Sequence, residues 1–136
     1  MHAIFEHTAD LGIRVEAPSL EQAFAEAGRG LFTVIAGDLG QIRTTTVESF
    51  EVAGTDLTWL LFDWVGELHA AFELRRMLFA DFDVAIGAAG LRATARGERY
   101  DPGRHRLAHE IKAITQHELD LHETAVGWEA TLIVDI

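Results

Sequence analysis

Leu57, Leu60, Leu61, Trp64, Val65, Leu68 and Phe72 recur at the three- and four-residue spacing of an α-helix. The apolar stripe they form is so wide that the helix must be largely buried against a sheet, with Asp63, Glu67 and Glu73 off its centre. A second helix is predicted from Leu20, Ala23, Phe24, Ala27, Leu31 and Val34, running to about Ile35 and ending near Gly37. Ser19 suits its N-cap, with Gln22 completing a capping box, and Asp56 or Thr55 caps the other helix. Gly28 and Gly30 fall within the first stripe, where they allow close packing.

Elsewhere the period drops to two. Ala3 to Ala17 reads as two short extended pieces joined by a polar loop around His7-Thr8-Ala9-Asp10. Thr45 to Ala53 reads as a strand, and Phe82, Val84 and Ile86 alternate against Asp81, Asp83 and Ala85. Gly87 to Gly90 forms the turn to a hairpin partner over Leu91 to Glu98. After the turn signal Asp101-Pro102-Gly103, three further strands are expected over Leu107 to Gln116, Glu118 to His122, and Val126 to Ile136. Two helices with at least six strands make an α+β layer arrangement. A length of 136 residues, 49% of them hydrophobic, fits a single compact domain spanning 1–136.

Composition removes several functional classes. No cysteine is present, so disulfides, thiolate metal sites, iron–sulfur clusters and a cysteine nucleophile are excluded. Of two serines, Ser19 is a cap and Ser49 sits in a strand without a nucleophile elbow, so serine catalysis is not expected. The Walker pattern and a strand–GxGxxG–helix are both absent, and no pair among His2, His7, His69, His105, His109, His117 and His122 forms a metalloprotease helix. With 22 acidic against 11 basic residues the net charge is −11. That charge repels phosphate backbones, so direct nucleic-acid binding is not expected. No apolar run approaches a membrane span, and the expected location is cytoplasmic.

Any metal must bind oxygen or imidazole. Asp10 follows His7 in the first loop, and Asp135 and Ile136 add a side-chain carboxylate and the terminal α-carboxylate. Such a set suits Ca²⁺, Mg²⁺ or Mn²⁺, and adding His7 or His117 shifts the preference toward Zn²⁺. Asp10 equally suits an Asx turn ahead of Leu11-Gly12, and a penultimate aspartate is ordinarily solvated. Against that, Trp128, Ala130, Leu132 and Val134 alternate cleanly, which implies an ordered strand almost to Ile136. Ten of the eleven basic residues are arginine, leaving Lys112 as the one lysine. An arginine bias retains lysine chiefly where a compact ammonium is needed, although a surface position explains it as well.

The segment Phe5-Glu6-His7-Thr8-Ala9-Asp10-Leu11-Gly12-Ile13 closely resembles the signature of the archease family. Leu20-Glu21-Gln22-Ala23-Phe24, Leu60-Leu61-Phe62-Asp63-Trp64, Gly97-Glu98-Arg99-Tyr100-Asp101, Glu110-Ile111-Lys112-Ala113-Ile114-Thr115 and Val134-Asp135-Ile136 are similar to its later landmarks, in order, over essentially the whole chain. The resemblance implies helices packed against antiparallel-rich sheets, and a metal held by Asp10, Asp135 and Ile136. It also implies a ligase-activating role for Lys112 and Asp10, with His7 and His117 as neighbours. Gln116 stands where many members have tyrosine, which weakens any role for His117.

The implied function is that of an accessory protein, not an enzyme. It activates an RtcB-type RNA-splicing ligase, promoting guanylylation of the ligase histidine and multiple turnover in tRNA splicing and RNA repair. Chaperone-like modulation of a tRNA methyltransferase is the first alternative. A free-standing metal-dependent hydrolase is the second.

Overall fold

The computed structural model describes the chain from Met1 to Ile136 apart from Thr8, Ala9 and the side chains of Glu6 and His7. The elements in chain order are β1 (His2–His7), β2 (Asp10–Ala17), α1 (Leu20–Ala36), β3 (Thr46–Ala53), α2 (Leu57–Arg75), β4 (Met77–Gly87), β5 (Gly90–Arg99), β6 (Ala113–Thr124) and β7 (Gly127–Asp135). A 3₁₀ turn, Leu39–Gln41, that periodicity did not foretell follows α1. The strands form two antiparallel sheets, one ordered β1-β2-β7-β6 and the other β3-β5-β4. Among the described residues no helix is long and apolar enough to cross a membrane.

Both helices start where their caps predict. Ser19 Oγ accepts the Gln22 N–H at 3.2 Å, and Asp56 Oδ1 accepts the Thr58 N–H at 3.1 Å, each satisfying a donor that the first turn leaves orphaned. α1 lies between the two sheets and is buried on nearly every side. Two of its residues must be small for that. A Cβ at Gly30 would stand 2.5 Å from Ile13 Cγ2 of β2, and one at Gly28 would touch the Phe82 ring of β4 at 3.0 Å. The expectation that these glycines permit close packing holds on both sides of the helix.

α2 packs beside α1 and along β6, burying Leu60, Leu61, Trp64, Val65, Leu68, Ala71 and Phe72. Trp64 is fully buried, donates its indole N–H to Phe24 O at 2.9 Å, and stands edge-on to Phe50 and Phe82. At a β4 irregularity, Asp81 accepts from Arg29 of α1 at 3.0 Å and from Arg96 of β5 at 2.8 Å, pinning the central helix to the second sheet.

The largest departure from the sequence reading lies between Leu107 and His122. No strand runs from Leu107 to Lys112. The Ala108 and His109 N–H groups both reach Ile35 O at the end of α1, at 2.7 and 3.4 Å, and Ile111 is buried as an anchor. Those backbone donors serve a helix terminus and not a ladder, so no strand forms there. The expected strand at Glu118 to His122 is not separate either. It belongs to β6, which runs from Thr115 to Asp120 while β7 runs only from Ile133 to Thr131. The surplus residues form a bulge in an edge strand, with Glu118 at φ 53°.

Candidate functional site

Hydrogen-bond register brings three widely separated chain segments to one end of the four-stranded sheet. Asp10 opens β2 directly opposite Asp135 near the end of β7, and Asp135 also faces Ala113, the first residue of β6. Lys112 precedes Ala113, and its N–H donates to Asp135 O at 2.8 Å. The backbone of His7 pairs with Asp10 from the other side. Asp10, Asp135, Lys112 and Ile136 therefore share a single sheet end, although more than a hundred positions separate Asp10 from each of the others in sequence.

The side chains in this row face away from the core. Leu11, Ile13 and Val15 are buried inward, so Asp10 lies with Gly12, Arg14 and Glu16 on the outer face. Directly opposed residues in an antiparallel pair hold their Cβ atoms about 5 Å apart, close enough for the Asp10 and Asp135 carboxylates to share a hard divalent cation. Both aspartates are half-buried and Lys112 is exposed. Among the described residues none of the three belongs to an ion pair. Their donor chemistry fits a hard metal. Among the described residues, however, no group of three or more histidine, aspartate and glutamate side chains gathers for one.

The two histidines expected as neighbours differ in what can be said of them. The His7 side chain lies outside the described residues. His117 sits exposed in the β6 bulge, where its N–H donates to Thr115 Oγ1 at 3.2 Å while Thr115 donates to Ile133 O at 3.0 Å. The bulge thus places His117 between the Thr115–Ile133 and Asp120–Thr131 pairs, four residues along β6 from Ala113, which opposes Asp135. Further along the same outer face, His122 lies between Asp120 and Glu129, at 2.6 and 2.9 Å. Those hydrogen bonds, Asp120 first, raise its pKa. Glu16 opposes Glu129 there, so the outer face is predominantly acidic.

The signature segment at the start of the chain also has a packing role. Phe5 pairs with Gly12, and a Cβ at Gly12 would stand 2.0 Å from the Phe5 ring, so the glycine lets the aromatic lie across the strand. The Arg14 guanidinium caps the same ring at 4.6 Å from its centroid. Cavities along Glu51–Ala53 and Ala85–Arg92, and between Gln22 and Asp81, include none of the site residues. The candidate site is a sheet end.

The chain matches the model of the Archease protein family over residues 2–136. It belongs to the archease family. Protein archease of Methanopyrus kandleri is 38% identical over 135 residues, covering 96% of each chain. Protein archease of Pyrococcus abyssi is 38% identical over 137 residues, covering 97% of this chain and 96% of that one. The solution structure of protein 1598 from Methanobacterium thermoautotrophicum superposes with a TM-score of 0.86 at 29% identity, covering 99% of this chain and 98% of the other. The archease assignment and the α+β architecture read from sequence are thereby established.

Two groups that sequence reasoning passed over stand out in this archease. His69 of α2 places Nε2 3.0 Å from Ile111 O, one peptide before Lys112. No sequence spacing links them. His105 is buried, accepts the Asp101 N–H on Nδ1 at 2.9 Å, and therefore carries its hydrogen on Nε2, which donates to Glu98 at 2.8 Å. Glu98 also accepts from Arg104 and, at 2.6 Å, from the Arg43 N–H. The family landmark Gly97 to Asp101 is thus a structural clasp, remote from the metal-type carboxylates.

Burial by itself would raise the Glu98 pKa, but the bonds from Arg104, the Arg43 N–H and His105 outweigh it and bring the value from 4.5 to about 2. A depressed folded-state pKa contributes stability that is present above about pH 4.5 and is lost as pH falls through about 2. Full linkage amounts to ~3 kcal/mol, which solvent screening reduces to about 1–2 kcal/mol. Thermal melts between pH 7 and pH 2 should show Glu98→Gln less stable than wild type at neutrality, with the gap closing across that acidic window. A gap that stays constant to pH 2 would contradict this role.

Proposed function

We propose that the chain is an accessory protein of RNA processing that activates an RtcB-type RNA ligase, without catalysing a reaction alone. The observation that carries this reading is the meeting of Asp10, Asp135 and Lys112 at one sheet end. Family membership supports the accessory role. In this reading Asp10 and Asp135, with the main-chain carboxylate of Ile136, hold a divalent metal, and oxygen donors favour Ca²⁺ or Mg²⁺ over Zn²⁺. When bound, such an ion supplies positive charge for phosphate oxygens.

The chain's own residues do the rest. A row of polar groups at the end of a sheet suits insertion into a partner's active site. Lys112, whose backbone is tied to Asp135 at the same sheet end, offers an exposed compact ammonium able to contact an anionic group on the partner or its nucleotide. The net charge of −11 favours association with a basic RNA-processing protein and opposes binding to RNA itself. Cytoplasmic placement follows from that partnership.

The test is guanylylation of the cognate ligase with GTP under multiple turnover, with no addition, wild type, Asp10→Ala or Lys112→Ala, each variant checked for folding. Wild type should stimulate, and each substitution should lower the stimulation by at least about tenfold, the scale on which disturbing a metal site's surroundings acts. Absence of stimulation by wild type would overturn the activator reading. The next assay would then be activity and aggregation of a tRNA methyltransferase with and without the chain.

A further inference from the structure

We infer that His69 is the positioning residue for Lys112, an inference that rests on reading Lys112 as the group acting on the ligase. The Ile111–Lys112 peptide unit is held at both of its polar ends. Its carbonyl oxygen lies 3.0 Å from His69 Nε2, and its N–H donates to Asp135 O at 2.8 Å. The Ile111 side chain is buried and fixes the unit from a third direction. Upstream, Leu107 to Glu110 is exposed and belongs to no strand, so the ladder cannot orient this peptide from that side.

A carbonyl oxygen only accepts, so His69 must carry hydrogen on Nε2. The ring is well placed for the task, because its side chain is 15% exposed and projects from the rigid middle of α2. Glu73, one turn further along α2, brings Oε1 to 3.4 Å from the same nitrogen, farther than Ile111 O at 3.0 Å, so the single N–H is directed chiefly to the carbonyl. One side chain of α2 thereby links the buried helix layer to the base of the lysine. Because the other end of the peptide is tied to β7 beside the carboxylate row, His69 also fixes the spacing between Lys112 and Asp135. A lysine on a four-carbon stem gains most from this, since its own side chain offers little preorganisation.

The experiment compares wild type, His69→Ala, His69→Gln and His69→Asn in the intact chain. Glutamine can bring an amide donor to about the place of Nε2, whereas asparagine is too short to reach it. Two readings are taken: hydrogen exchange of the Lys112 amide in the isolated protein, and stimulation of ligase guanylylation resolved into maximal rate and half-saturating concentration. His69→Ala should speed exchange at Lys112 roughly tenfold, the factor that corresponds to the net worth of one hydrogen bond. It should also lower the maximal stimulated rate more than it changes half-saturation, and His69→Gln should restore both. Should His69→Ala fail to fold, the contrast between glutamine and asparagine decides in its place.

Unchanged Lys112 exchange in a folded His69→Ala, or equal behaviour of the glutamine and asparagine variants, would overturn the inference. A wild type that does not stimulate the ligase would defeat the proposed function alone, because the exchange measurement reads the clamp without the ligase.

Discussion

Trp64→Ala is expected to cost about 4–5 kcal/mol and to lower the melting midpoint by about 15 °C. The indole is fully buried at the junction of α2, α1 and the second sheet, with Phe50 and Phe82 edge-on to its ring at 5.6 and 6.0 Å between centroids. Alanine leaves a cavity that these rigid neighbours cannot fill and strands the Phe24 carbonyl, which accepts the indole N–H at 2.9 Å. Against a total stability of ~5–15 kcal/mol this is a large fraction. Trp59, on the same helix but 45% exposed, provides the control, and Trp59→Ala should change stability by no more than about 1 kcal/mol. Differential scanning calorimetry of both variants checks the pair, and comparable losses would contradict the layer arrangement.

The double substitution Asp10→Asn, Asp135→Asn should abolish stabilisation by divalent metal while leaving the fold intact. The two aspartates oppose each other across β2 and β7, and among the described residues no cationic side chain is paired to them. Neutral amides of the same shape remove a cross-strand like-charge contact, so the metal-free variant should melt no lower than wild type. If wild type binds Ca²⁺, Mg²⁺ or Mn²⁺ there, metal at a hundredfold excess over Kd adds about 2.7 kcal/mol. Melts with and without each ion would reveal the difference, and the same variant should reduce ligase stimulation by about tenfold or more. Equal metal responses in the two proteins would remove Asp10 and Asp135 from any metal site.

Much of the architecture was legible because it depends on local rules. Ser19 and Asp56 begin their helices with the cap bonds their chemistry predicts, and the apolar stripe through Trp64 and Leu68 is buried as its width requires. Leu107 to Lys112 misled for an instructive reason. It is expected to open a strand, yet Ile35 O takes up the Ala108 and His109 N–H groups and the ladder never forms there. Periodicity reports which side chains are buried, and cannot report which acceptor the backbone will find.

Residue chemistry and order in the sequence were sufficient to determine the family, the α+β layers and the oxygen-only ligand repertoire of a chain without cysteine. They singled out Asp10, Asp135 and Lys112 but could not join them. Tertiary structure alone decided that β2, β7 and β6 are neighbours in one sheet, that their register sets Asp10 opposite Asp135, and that α2 brings His69 to the peptide of Lys112. Helix caps and apolar periods arise from contacts within a few residues, which a local reading captures. Strand order, register and a side chain reaching from helix to loop depend on how whole layers close around α1, and those relations exist only once the core is packed.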